Sequence, residues 1–288
     1  MDATRLIQEL QTTAATAAKL VEEMEFGFLW SPRRKLLSIG LDDSIADIHS
    51  ACYDLLASES RTATFVAIAK DEIPQETWFL LARGHTIDRG RPVLLSWTGT
   101  MFEYMMPALW MRTYPGTLLD RSRHGAVLSQ QEFTALKRIP WGISESAHAT
   151  RDAAGNYGYH AFGIPQLAIF HGDLDSLVIS PYSTFLALNT LPKAALQNLR
   201  KMAHDGWFGP YGFYESADYG PSDRRSWRPD YELVRCWMAH HQGMSLLAIA
   251  NFLRDGIVQE WFHSHPRVQA TELLLHEKPV NHLLSLTA

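Results

Sequence analysis

Trp141-Gly142-Ile143-Ser144-Glu145-Ser146-Ala147 has a near-copy seventy positions later, Tyr211-Gly212-Phe213-Tyr214-Glu215-Ser216-Ala217. Each copy reads aromatic, Gly, apolar, variable, Glu, Ser, Ala. A carboxylate set between a bulky ring and a small-residue step, beside a Gly that admits another backbone or a ligand, is a candidate acid/base station. Two stations suggest a pair. The blander reading is that aromatic-Gly turns leading into Glu-capped helices recur by chance in a helical protein. Trp97-Thr98-Gly99-Thr100-Met101-Phe102-Glu103 also places a Glu shortly after an aromatic and a Gly, forty-two positions before Glu145. Helix hairpins of that length arranged in a ring would bring such loops to one end, so the spacing predicts an (α/α) toroid that gathers distant carboxylates.

Helical patterning dominates around these stations. Leu6, Ile7, Leu10, Ala14, Ala17, Val21 and Met24 keep the spacing of one helix face behind caps at Asp2 or Thr4. Phe26 to Leu41 reads as a short hairpin and the sole strand pair, because Ser31-Pro32 breaks it into two apolar arms. Helices are expected over 43–70, 75–83, 96–113, 130–137, 182–191, 192–204, 231–254, 258–263 and 267–276, with an irregular, Gly-broken stretch over 147–181 and a polar loop over 219–230. That places the fold as all-α. Without a Pro/Ser/Gly-rich linker, residues 1–288 read as one domain.

At 288 residues, with 46% hydrophobic and 20% charged residues, the chain can bury a sizeable core. Net charge is −5 and no long Lys/Arg-rich run occurs, which leaves no electrostatic footprint for nucleic acid or an anionic membrane. Cys52 and Cys236 are too isolated for a disulfide framework or a zinc site, and they fit a reducing compartment. No long apolar stretch is free of charge, so no membrane insertion is expected of this chain. A helix beginning at residue 2 reads as a boundary inside a larger protein.

Carboxylates flanked by Trp and Tyr suit carbohydrate. Sugar rings lay apolar C–H faces on aromatic rings while their hydroxyls seek polar partners. Glycoside chemistry needs one carboxyl neutral, to protonate the leaving oxygen, and one ionised. Glu145 and Glu215 are that pair, with neither role assigned by the sequence. Trp97, Tyr104, Trp141 and Tyr214 are the rings available to a sugar. Asp218 can share the site of Glu215 or close a turn; Glu103 can reach substrate or pair with Arg112 or Arg83. His240-His241-Gln242-Gly243 interrupts an apolar helix face, and polar groups there need partners in the core or in a ligand. Adjacent His residues cannot both face one ion from a helix, so no metal is expected. No phosphate loop, dinucleotide fingerprint or Gly-flanked Ser nucleophile occurs, so no cofactor is expected.

Phe28-Leu29, Arg34-Lys35-Leu36-Leu37-Ser38-Ile39-Gly40, Tyr53-Asp54-Leu55-Leu56-Ala57-Ser58-Glu59-Ser60-Arg61, Met101-Phe102-Glu103-Tyr104, Pro140 through Ala147, Tyr211 through Glu215, Met238 through Met244 and Gln269 through Leu275 follow one another along nearly the whole chain. In this order they resemble the glucoamylase-like domain of bacterial cyclic β-1,2-glucan synthases and, more distantly, stand-alone endo-β-1,2-glucanases. The resemblance implies an (α/α)6 toroid with a central sugar cleft. It implies retaining transglycosylation of linear β-1,2-glucan onto the chain's own non-reducing end, giving a ring. It also implies a cytoplasmic domain of a large inner-membrane protein whose other modules are its partners. Glu145 and Glu215 carry over as the acidic pair, with Glu103, Tyr214 and His240 to Gln242 touching substrate. Ser216-Ala217 stands where the family pattern reads Ala-Leu, which leaves Glu215 and Asp218 in place. The chain holds no glucan-polymerising module. An endo-β-1,2-glucanase and a non-catalytic glucan-binding module are the alternatives.

Overall fold

The computed structural model describes residues 3–42, 47–48, 50–52, 54–57, 59–170, 176–221 and 230–279. Asp2, the expected helix start at Asp43, Tyr53, Ser58 and most of the polar loop expected over 219–230 lie outside them. In chain order, α1 (Ala3–Glu23) leads to a hairpin of β1 (Trp30–Ser31) and β2 (Leu36–Leu37), then β3 (Leu41–Asp42) and β4 (Asp47–Ile48). Helices α2 (Ser60–Ala69) and α3 (Glu76–Leu80) precede the hairpin β5 (His85–Asp88) and β6 (Arg91–Leu94). Next come α4 (Met101–Met105), α5 (Leu118–Ala135), β7 (Ser146–Arg151), β8 (Tyr157–His160) and β9 (Ser176–Ile179). Then α6 (Pro181–Leu186), α7 (Pro192–His204), β10 (Phe208–Gly209), β11 (Gly212–Phe213), β12 (Ser216–Pro221) and β13 (Glu232–Val234) follow. Helices α8 (Ala239–Leu253), α9 (Ile257–His263) and α10 (Pro266–Thr271) end the described fold.

The molecule is helix-rich but not all-α. The expected hairpin forms, with Trp30 opposite Leu37, yet it is one of six small sheets among the described residues. The stretch read as irregular supplies β7, β8 and β9, and both Glu motifs lead into strands rather than helices. Glu232–Val234, read as helix, instead pairs with β12, so α8 starts at Ala239. The helix expected over 96–113 is α4 alone, followed by a 3-10 turn over Met106–Leu109. Pro107, which has no N–H to donate, sits at the start of that turn and ends the α-helix. Conversely, the short helix expected over 130–137 is the end of the longer α5. Its buried face includes Ser122, Arg123, Ser129 and Gln130, so apolar periodicity hides it.

One buried cluster runs from Leu55 to Leu275, with Phe65, Trp78, Met101, Met105, Ile143, Val178, Ile179 and Trp207 at its centre. A smaller one, Leu37, Ala67 and Ile73, lies under the β1–β2 hairpin. Helix α1 buries no residue, and Lys70 Nζ holds its end by donating to the carbonyls of Val21 and Glu22. Helix α6 packs against both α4 and α8.

Candidate active site

Each Glu is held by its backbone before its side chain does any chemistry. Gly142 has φ +125°, and a Cβ there would stand 2.5 Å from Ser183 Oγ and 3.1 Å from the Ser180 carbonyl. Only Gly fits. Its neighbour Ile143 is clasped by Gln130, whose amide accepts from the Ile143 N–H and donates to its carbonyl, both at 2.8 Å. Ser144 Oγ accepts from the Phe102 N–H at 3.0 Å and meets Tyr182 Oη at 2.8 Å, while Tyr182 Oη donates to the Glu145 carbonyl at 3.0 Å. The second station is fastened by the same neighbourhood: Ser180 Oγ donates to the Glu215 carbonyl at 2.6 Å, and the Glu215 N–H donates to Cys236 at 3.0 Å.

Strands β7 and β12 therefore run side by side, joined through side chains. Ser216 Oγ donates to the Ala147 carbonyl, and the Ala147 N–H donates to Glu215 Oε1 at 3.2 Å. Asp218 accepts from the Ala149 N–H at 2.9 Å and from the Gly220 N–H at 2.8 Å. Two sequence stations seventy residues apart become one place.

His241 and Tyr159 connect the two carboxylates. His241 Nδ1 lies 2.7 Å from Glu215 Oε1, and its ring is fully buried, stacked 3.7 Å from Tyr182 at 9°. Tyr159 Oη donates to Glu145 Oε1 at 3.0 Å and stands 3.4 Å from His241 Nε2 and 3.5 Å from His240 Nε2. Glu215 is only 2% exposed, and its Oε2 has no hydrogen-bond partner. A buried acceptor left unpaired is costly, which makes this oxygen the point of greatest unmet demand in the site.

Burial pushes the Glu145 carboxyl above its ordinary value; the Tyr159 hydrogen bond and the His241 charge oppose it, and the charge of Glu59 adds to the rise. The Tyr159 phenol is likewise pushed up, by burial and then by Glu145, Glu215 and Glu59, so it stays protonated. Burial and the neighbouring His241 lower His240. Among the described residues no three His, Cys, Asp or Glu side chains converge to hold a metal.

Glu145, Glu215, His240 and His241 are thus brought together, and Gln242 lies beside them, donating to the Phe213 carbonyl at 3.3 Å. Tyr214 packs on Trp237, 5.1 Å between ring centroids. The rest lie elsewhere or serve the frame. Glu103 sits in the capping box of α4 with Thr100 and accepts from Thr98, so neither Arg112 nor Arg83 pairs with it; those bind Glu272 and Glu277. Tyr104 is buried with its hydroxyl on the Leu94 carbonyl at 2.6 Å, and Trp141 is core, 7% exposed. Trp97 stacks parallel on Phe170 at 5.6 Å, forming a half-exposed aromatic shelf. Sequence reasoning missed Tyr159, Tyr182 and Glu59. Only the alternation Tyr157-Gly158-Tyr159 inside the Gly-broken stretch hinted at the first.

Residues 52–266 match the Glycoamylase family model, described as putative glucoamylase. The chain is 40% identical over 273 residues to the cyclic beta-(1,2)-glucan synthase NdvB of Rhizobium meliloti (strain 1021), a match covering 95% of this chain and 10% of that protein. It therefore spans about a tenth of the length of this curated relative. Its fold is similar to the endo-beta-1,2-glucanase of Chitinophaga pinensis, solved with sophorotriose and glucose: TM-score 0.65, 20% identity, 92% of this chain and 65% of that one. The beta-1,2-glucanase of Parabacteroides distasonis gives TM-score 0.65 at 14% identity, over 90% of this chain and 40% of that one.

Proposed function

The chain belongs to the Glycoamylase family, and from that premise we propose that it acts on linear β-1,2-glucan as a retaining transglycosylase whose product is a cyclic glucan. The single observation that carries a catalytic reading is the path of hydrogen-bonding groups from Glu145 through Tyr159 and His241 to Glu215. The substrate rests on the 40% identity to a protein named for cyclic β-(1,2)-glucan synthesis. The helix-rich fold and its likeness to the solved glucanases support an (α/α)6 toroid spanning residues 1–288, and the match to a tenth of a longer relative supports a module of a larger protein, which we place at the cytoplasmic face of a membrane.

Glu145 is the proton donor. Its raised pKa keeps it neutral to higher pH than a solvated Glu, and it is the less buried of the two acids. Glu215 is the ionised partner, its charge met by the Ala147 N–H and by His241. With Oε1 committed to those donors, Oε2 is the oxygen left for an anomeric carbon, and sugar entry has to open the lining over it. Glu145 protonates the glycosidic oxygen as that bond breaks. The bond from Glu215 to the anomeric carbon then yields to a 2-hydroxyl of the same chain, whose proton returns to Glu145. Tyr214, Trp237 and the Trp97–Phe170 shelf offer ring faces to further sugars.

Incubation with linear β-1,2-glucan, followed by mass analysis, tests this. The expected product is lighter than the linear chain of equal length by one water. Linear oligosaccharides alone would make the domain a hydrolase, and binding with no product would make it a glucan-binding module.

A further inference from the structure

We propose that Glu145, Tyr159, His241 and Glu215 form a relay that holds one proton between the two carboxylates and passes it from one to the other through the Tyr159 hydroxyl and the His241 ring. The relay rests on the reading of these glutamates as the working pair, and it deepens that reading by giving Tyr159 and His241 a positioning task at the same site.

Counting hydrogens carries the inference. A phenol has one O–H, and a neutral imidazole has one N–H and one acceptor nitrogen. If Glu215 holds the shared proton, its O–H donates to His241 Nδ1, His241 Nε2–H donates to Tyr159 Oη, and Tyr159 O–H donates to the Glu145 carboxylate. If Glu145 holds it, every link reverses: Glu145 O–H donates to Tyr159 Oη, Tyr159 O–H to Nε2, and Nδ1–H to the Glu215 carboxylate. Both arrangements satisfy all three links, at 3.0, 3.4 and 2.7 Å. With both carboxylates ionised and the imidazole neutral, two acceptors face each other at the middle link. With both protonated, two donors do. An imidazolium His241 between two carboxylates satisfies the links with the same single proton, held midway. One proton on the relay is therefore the state that the geometry favours.

Passage between the arrangements breaks the Glu215 O–H, His241 Nε2–H and Tyr159 O–H bonds and makes the His241 Nδ1–H, Tyr159 O–H and Glu145 O–H bonds. The net change is one proton moved from Glu215 to Glu145. The same step loads the acid and ionises its partner. His241 is suited to this because it is fully buried and its ring is fixed against Tyr182, so water does not compete for its nitrogens.

Other groups facing the relay do not break it. From the start of α2, Glu59 raises both Glu145 and Tyr159, which disfavours a phenolate. On α8, His240 Nε2 lies 3.5 Å from Tyr159 Oη and is lowered toward the neutral form. On α6, burial keeps the Tyr182 phenol protonated, and just before α8 burial and then Glu215 hold the Cys236 thiol up to about 11. A phenol kept protonated passes protons and does not attack carbon.

The test follows titration rather than turnover, so it stands apart from the substrate assignment. In protein labelled at glutamate Cδ and histidine nitrogen, NMR reads the midpoint of Glu145 and the tautomer of His241 against pH. Glu215→Gln is expected to change the proton affinity of Glu145 about tenfold, roughly one pH unit, in the wild-type background and far less in the Tyr159→Phe background. Without any Glu215 variant, the proton of His241 is expected to switch between Nδ1 and Nε2 as Glu145 titrates, and to stop doing so in Tyr159→Phe. An equal shift of Glu145 with and without the Tyr159 hydroxyl, or a His241 tautomer fixed across the titration, would overturn the relay. A relay seen in a protein that turns over no β-1,2-glucan would leave the relay standing and remove the substrate.

Discussion

Glu145→Gln is expected to cut turnover of β-1,2-glucan by about 10³-fold or more while leaving the folded protein at least as stable as the parent near neutral pH. General acid catalysis contributes about 10² to 10⁴ in rate, and an amide cannot supply the proton. The stability half follows from the sign of the pKa change. Burial raises Glu145 in the folded state, so any stabilisation from its neutral form is complete below the unfolded pKa and is lost as pH rises through the folded one. Above the unfolded pKa the raised folded value counts against the native state, and Gln removes that cost. Gln also keeps an oxygen to accept from Tyr159, which donates to Oε1 at 3.0 Å. Initial rates on linear β-1,2-glucan and a thermal melt at pH 7 check both halves. Retained activity, or a large drop in melting temperature, would remove Glu145 from the acid's role.

His241→Ala has the second large effect, and it is on the fold. His241 is fully buried, and its Nδ1 is one of two donors to a Glu215 that is itself 2% exposed. Removing one partner of a buried pair leaves an uncompensated charge and costs about 3–5 kcal/mol. For a domain of this size that is a fall in melting temperature on the order of 10 °C. Adding Glu215→Gln to His241→Ala should recover part of the loss, because the orphaned charge is gone. If the double variant is no more stable than the single one, the cost belongs to the cavity beneath Tyr182 rather than to the carboxylate.

How far the sequence exposed all this depends on the kind of signal each residue leaves. Pro192 at a first helical turn and the apolar arms around Ser31-Pro32 are local cues, and α7 and the β1–β2 hairpin stand where those cues put them. Strands β7, β8 and β9 were illegible because they are short and broken by Gly, and their partners lie far off in sequence: Ala217 of β12 pairs with Ile179. The face that α5 buries is partly polar, which masks helical periodicity. Glu103 shows the opposite case. Read as a third acid station, it follows a Thr by three residues, the spacing of a capping box, and that is what it forms. The coming together of Glu145 and Glu215 was legible as a repeated motif. Tyr159 was not, because its value comes only from lying on a neighbouring strand beside both acids.

The most direct measurement of the central claim is a crystal structure of the Glu145→Gln protein soaked with a linear β-1,2-glucan fragment. The account requires a glycosidic oxygen about 2.6–3.2 Å from the side chain at position 145, with the adjoining anomeric carbon turned toward Glu215 Oε2. A fragment seated only on the Trp97–Phe170 shelf, or bound anywhere that leaves both position 145 and Glu215 untouched, would contradict it.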